Sequence, residues 1–232
     1  GDLYSNYFEW RAASESDYRN FSLPAYLVGA LPKDKNIRII DYGCGFGQML
    51  GALTKLGYLN AIGVDIEPNA LQCCRYTGLN VIDGRVNIDL QALEASADVV
   101  IMSHVLEHFP KQEIITRLQQ VKGYLKPGGI LIVMVPNAQS NTGCYWAYED
   151  FTHETLFTSG SLSFVLKASG FSKIDFIDVD CTEGRFFFAR IIRKLLLPLY
   201  RLNYQFWNKI TGSQIYAHSP MIFSWEIKVV AR

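Results

Sequence analysis

The chain has 232 residues, 49% apolar and 19% charged, which suits one globular domain with a substantial core and excludes a disordered or fibrous protein. Twenty-two basic residues balance 22 acidic ones, so the net charge of zero gives no global signature of nucleic-acid binding. Five cysteines without a CxxC pair (Cys44, Cys73, Cys74, Cys144, Cys181) support neither a disulfide framework nor structural zinc, and read as the reduced thiols of a cytoplasmic protein.

The opening "GDLYSNYFEWRAASESDY" lacks the basic-then-apolar order of a secretory signal. Residues 1–36 are rich in Tyr, Phe and Trp and are expected to pack as a helical flank or lid on a domain spanning 37–232. From residue 37 short apolar strands alternate with helix-like segments. "IRIIDYG" (37–43) reads as a buried strand, "GQMLGALTKLG" (47–57) as a helix, and "NAIGVDI" (60–66) as the second strand. Pro68 opens and Gly78 closes the next helix. A weak strand in 79–86 and a short helix in 90–96 precede the strand "ADVVIMS" (97–103). A helix over 111–125 and the strand "ILIVMVP" (130–136) complete the regular part. Beyond it lie an aromatic, polar loop (137–158), a helix (160–170), a strand (171–180), an insertion of about forty residues (182–220) and a final strand (222–231). Such alternation implies a largely parallel sheet covered on both faces. No run of about 18 uncharged apolar residues is present to span a membrane.

"DYGCGFG" (41–47) falls where an open α/β sheet binds ligands, beyond the carboxyl end of its first strand. Gly43, Gly45 and Gly47 allow close backbone approach, and Asp65 closes the second strand in a position to accept two ribose hydroxyls. The dinucleotide fingerprint is G-x-G-x-x-G, whereas this spacing is G-x-G-x-G with Asp41 before it. A carboxylate there repels a pyrophosphate but suits the amino group of an aminoacyl nucleoside.

Asp41-Tyr-Gly43-Cys-Gly45-Phe-Gly47, Asp65 and "LKPGGILIVMVPN" together resemble class I S-adenosylmethionine-dependent methyltransferases, over about residues 37–181. The resemblance implies a Rossmann-like seven-stranded α/β sheet, mostly parallel with its last strand antiparallel and helices on both faces. It implies S-adenosylmethionine as cofactor, with Asp41 and the loop (Gly43, Cys44, Gly45, Gly47) at the methionine moiety and Asp65 at the ribose. Asp89 would reach the adenine amino group, Ile66 and Leu90 would pack on the ring, and Ser103 and His104 would border the donor.

"SHVLEHF" (103–109) has the His-x-x-Glu-His spacing of an inverted zinc-protease motif, but Pro110 cuts off the long helix that motif needs. In the resembled family this segment lines donor and acceptor, and "HVLEHF" is similar to its form in small-molecule, quinone and sugar methyltransferases. Some quinone enzymes carry Glu-x-x-Glu-His there with a divalent ion. His104 in place of the first glutamate disfavours hard cations and leaves only a softer metal on Glu107 and His108 as the alternative, so no metal is assigned, and Glu107 and His108 are expected to hold the loop by hydrogen bonds.

"YEDFTHETLFT" (148–158) is similar to a segment of methyltransferases encoded with bacterial surface-polysaccharide genes. It supplies His153 as candidate general base, with His108 as the second candidate. Glu149 and Asp150 would orient it or bind sugar hydroxyls, and Tyr145, Trp146 and Tyr148 would either stack on the acceptor ring or pack the loop. In "RFFFARIIRKLLLPLYRLNYQFWNKI" (185–210) basic residues fall on one side of a helical wheel and Ile and Leu on the other, with Leu197 misplaced and Pro198 expected to kink or split the helix. Two readings stand: peripheral membrane contact on the inner face of a membrane, or a packing or dimer helix, leaving a monomer or homodimer. The expectation is a cytoplasmic O-methyltransferase acting on a sugar hydroxyl of a surface glycan or its lipid-linked precursor, without nucleic acid. A quinone or other small hydroxylated acceptor is the alternative, and a non-catalytic cofactor-binding scaffold the reading from another class.

Overall fold

The computed structural model describes residues 7–11, 14, 21–86, 90–183, 186–215 and 219–232, so the assignment of Asp89 to adenine lies outside the described residues. Seven strands form one sheet: β1 (Ile39–Tyr42), β2 (Ala61–Asp65), β3 (Val81–Asp83), β4 (Ala97–Ser103), β5 (Leu125–Pro136), β6 (Ile174–Phe176) and β7 (Glu226–Ala231), in the order β3-β2-β1-β4-β5-β7-β6. Strands β1 to β5 pair in parallel, and β7 runs antiparallel to both β5 and β6, as expected. Around the sheet lie α1 (Tyr7–Trp10), α2 (Ala25–Ala30), α3 (Gln48–Lys55), α4 (Pro68–Tyr76), α5 (Ile114–Tyr124), α6 (Gly143–Glu149), α7 (Ser159–Ala168) and α8 (Phe187–Ile210).

The near-continuous apolar runs of β4 and β5 follow from burial on both faces. Val100, Met102 and Val133 join α5 and α7 in one core layer, while Val99, Ile101, Ile132 and Met134 meet α2 and α3 in the other. Leu27 is fully buried in that second layer, so the expected N-terminal flank is in part a covering layer of the sheet itself. Strand order reverses between β1 and β4, and the crevice beyond their carboxyl ends is where such a sheet places a ligand.

Several elements differ from expectation. The stretch 137–158, read as loop, contains α6, whose Trp146 rests on Trp225 with ring centroids 5.4 Å apart. Aromatic side chains have only middling helix propensity, so this short helix depends on that long-range contact. Residues 90–96 hold helical backbone only at Leu90 and Gln91 before turning, and β6 keeps three of the ten residues expected. Pro198 sits inside an unbroken 24-residue α8 instead of dividing it. The carbonyl that loses its partner there lies on an exposed helix, where water can bond it.

Candidate active site

The glycine loop joins β1 to α3 in left-handed backbone. Gly43 has φ +83°, and a Cβ there would stand 2.2 Å from Val105 Cγ2 in the segment after β4. Gly47, at φ +78°, starts α3 where a Cβ would strike Leu79 at 2.4 Å. Asp65 holds the loop: its carboxylate accepts from Gly45 N at 2.7 Å, Ile66 N at 2.8 Å and Glu67 N at 2.9 Å. Of about four lone-pair positions on a carboxylate, three are thereby engaged within the chain. Cys44 is buried, its Sγ turned 3.8 Å from Gly45 O, so only its backbone faces the loop. Leu90 is a core residue, Ile66 is exposed, and Ser103 ends β4 opposite Met134.

Asp41 is 2% exposed, and among the described residues its Oδ2 has no hydrogen-bond partner. Burial, helped by the Asp65 charge, pushes its pKa up to about 7. A buried carboxylate oxygen without a donor, beside backbone that tolerates no Cβ, fits the ammonium of S-adenosylmethionine. Phe8 lies against the same loop, its ring 4.4 Å from that of Phe46.

After β4 the backbone turns left-handed at His104 (φ +54°) and makes a single 3-10 turn, Leu106–His108. The two histidines therefore point to different neighbours, not along one helix face. His104 Nε2 lies 2.9 Å from Glu226 Oε1 and Nδ1 3.3 Å from Glu107 Oε1, while its ring stacks on Trp225 at 5.5 Å. Burial lowers its pKa, but the two carboxylates beside it, Glu107 and Glu226, overcome this and raise it to about 10, leaving a cation after β4. Glu226 is held in turn by the buried Lys228, which also pairs with Asp178 at 3.0 Å.

The second cluster joins Glu107 and His108 to Asp150, Thr152 and His153. His153 Nδ1 is 2.6 Å from the Trp146 carbonyl, which can only accept, so Nδ1 carries a proton and donates, and Nε2 is the ring nitrogen left to exchange one. That nitrogen lies 3.8 Å from Asp150 Oδ2 and 3.9 Å from Glu107 Oε1. The group orienting His153 is thus a helix carbonyl and not the expected Glu149 or Asp150 side chain. Thr152 donates to Asp150 Oδ1 at 2.6 Å and accepts from His108 Nδ1 at 2.9 Å. Burial holds His108 below the usual imidazole pKa against the opposing Glu107 charge. Glu107 is fully buried; its backbone carbonyl accepts from Glu154 N at 2.8 Å and Thr155 N at 3.1 Å, tying the two segments together, while its carboxylate oxygens have no well-aligned hydrogen bond within the described residues. Glu107, His108 and His153 each offer a ligand atom, all within 4.8 Å of one another, a set that could also hold a metal.

Asp150, expected at the substrate, is instead an internal hub. Tyr7 Oη donates to its Oδ2 at 2.6 Å, and Arg11 pairs with the same oxygen. Burial alone would raise its pKa, but hydrogen bonds from Thr152 and Tyr7 hold it below the usual carboxylate range. Tyr145, Tyr148 and Glu149 lie on the exposed side of α6, Tyr148 at 82% exposure, and are not brought into the cluster. Tyr7, Thr152, Trp225 and Glu226 had no assignment from sequence. Only Thr152, inside the quoted "YEDFTHE", stood near a residue that drew one.

A family model described as a methyltransferase domain matches residues 11–175. Among curated proteins, the ribosomal protein L11 methyltransferase of Yersinia pseudotuberculosis is 37% identical over 119 residues, covering 48% of this chain and 38% of its own length. That of Pectobacterium carotovorum is 38% identical over 100 residues, covering 40% and 33%. The chain thus spans well under half the length of these curated relatives. Among solved structures, a SAM-dependent methyltransferase from Archaeoglobus fulgidus superposes with a TM-score of 0.64 at 23% identity, covering 99% of both chains. One from Mesorhizobium loti gives 0.56 at 18% identity, covering 89% of this chain and 95% of its own. With the family match spanning most of the chain, the protein belongs to the methyltransferase-domain family, and its sheet shares the fold of these SAM-dependent methyltransferases.

Proposed function

We propose that the protein is an O-methyltransferase whose acceptor is a sugar hydroxyl of a surface glycan or its lipid-linked precursor, with His153 as general base. The carrying observation is the orientation of His153: Nδ1–H is committed to the Trp146 carbonyl, which leaves Nε2 as the nitrogen for proton exchange, beside two carboxylates. A sugar hydroxyl has a high pKa, so a positioned base contributes most for this acceptor class, about 10²–10⁴-fold. The bound cofactor supplies an electrophilic methyl group on a sulfonium. Asp41 and the glycine loop would hold its amino acid end, and Asp65 would keep the loop in shape through Gly45 N. His153 would take the hydroxyl proton on Nε2, and the buried Glu107 and Asp150 would stabilise the imidazolium that forms. Alignment of donor and acceptor contributes more than the base, roughly 7–11 kcal/mol.

The test is to incubate the protein with methyl-labelled S-adenosylmethionine and a cell extract separated into glycan, lipid, protein, nucleic-acid and small-molecule fractions. Label in the glycan or lipid-linked fraction is expected. Label confined to soluble small molecules selects a quinone-like or other hydroxylated acceptor, and label in protein selects the kind of acceptor in the L11 relatives' name.

A further inference from the structure

Helix α8 is amphipathic, but its polar side faces the protein. Arg193 donates to the Asp180 and Cys181 carbonyls at 3.4 and 3.1 Å, and Arg201 pairs with the Asp180 carboxylate at 2.8 Å. Tyr200 bonds Asn141, and Tyr204 accepts from Gln139 at 3.4 Å. Leu197, the leucine out of place on the wheel, is half-buried among these polar contacts. The opposite stripe is in solvent: Leu195, Leu199, Leu202, Phe206 and Ile210 are 67, 60, 62, 56 and 62% exposed, with Trp207 beside them at 56%. A helix that only covered a sheet would present the reverse side to the domain. A continuous apolar face of this length is a surface for something else.

We infer that α8 seats the protein on an anionic lipid bilayer, its apolar stripe entering the headgroup region. Charge decides the occupant. The helix carries Arg190, Arg193, Lys194, Arg201 and Lys209 and no acidic residue. Two copies packed along this stripe would bring like charges together, whereas an anionic surface attracts the three that Asp180 and Cys181 do not hold, Arg190, Lys194 and Lys209. Arg190, Lys194 and Lys209 are exposed and long enough to reach phosphates while the stripe is immersed. Trp207 and Tyr204 suit the interface, and among the described residues no helix is long and apolar enough to cross a membrane, so the helix lies on the bilayer.

Docking also defines the acceptor. A cleft of about 600 Å³ runs beneath α8, lined by Ile192, Leu196, Tyr200, Phe223 and Trp225. Trp225 is the residue stacked on His104, so the membrane-facing helix and the donor pocket share a wall. A lipid-linked acceptor would reach the site from the bilayer along this cleft. Only this last step rests on the glycan-methyltransferase reading, and vesicle binding is measured without turnover, so the two can fail separately.

The experiment is co-sedimentation of the full chain with phosphatidylcholine vesicles, with and without phosphatidylglycerol, at low and high salt. Binding to the anionic vesicles is expected, weakened about tenfold or more by omitting phosphatidylglycerol or raising salt. Leu199→Glu with Leu202→Glu should abolish it, and these exposed positions leave folding intact, which an unchanged melting temperature verifies. Arg190→Gln with Lys194→Gln should weaken it about tenfold or more. Absence of binding to anionic vesicles, or binding that survives the double glutamate variant, would overturn the proposal. So would a dimer in sedimentation equilibrium that the glutamates dissociate, since a second copy would then own the stripe.

Discussion

Asp41→Asn removes a buried carboxylate whose Oδ2 has no hydrogen-bond partner among the described residues. Asp41 is 2% exposed, and burial together with the Asp65 charge moves its pKa from 3.8 to about 7. The native state therefore binds more protons than the unfolded state across that window, so stability falls as pH rises from about 4 to about 7 and the full loss persists above it. The shift corresponds to roughly 4 kcal/mol over the whole window, of which about 2.5 kcal/mol falls between pH 5 and pH 8 because an unfolded aspartate is already largely ionised at pH 5. Urea unfolding of the cofactor-free parent and variant at both pH values isolates this contribution, since other titrating groups cancel in the difference. The variant should gain about 2.5 kcal/mol relative to the parent on going from pH 5 to pH 8. S-adenosylhomocysteine, which brings an ammonium to the orphaned oxygen, should bind the parent more weakly below pH 7 and the variant weakly throughout. A variant-minus-parent difference that does not change with pH would refute the reasoning.

Asp65→Ala should weaken S-adenosylhomocysteine at least about tenfold in titration calorimetry, because it frees Gly45 N as well as removing the proposed ribose acceptor. Tyr7→Phe deletes the hydrogen bond that ties the N-terminal turn to Asp150, and should weaken the same ligand about fivefold, the ~1 kcal/mol of one hydrogen bond. Unchanged affinity in either would remove that residue from the cofactor site. Methyl transfer should survive exhaustive chelation, since the His153 orientation serves a base without a metal; loss that zinc restores would assign Glu107, His108 and His153 as ligands.

The fold was legible because its signals are local. The apolar run of β4, the glycines before α3 and Pro68 at the first turn of α4 each dictate their element through neighbours in sequence. What was not legible depends on distant contacts. Tyr7 meets Asp150 across 143 positions, which turned an expected substrate ligand into an internal hub. The carbonyl that fixes His153 belongs to backbone and leaves no mark in residue type, and it exists only because α6 forms. The wheel of 185–210 separated basic from apolar residues correctly, yet a wheel cannot say which side meets the domain. Asp180 settled that by drawing Arg193 and Arg201 inward.

The most direct test of the central claim is single-turnover methyl transfer by the parent and by His153→Ala, using the fraction of extract that takes up label, with S-adenosylhomocysteine affinity measured alongside. The variant should transfer about 10²–10⁴-fold more slowly, its rate rising with pH toward the parent's, with cofactor affinity unchanged. A variant that transfers methyl groups as fast as the parent would contradict it.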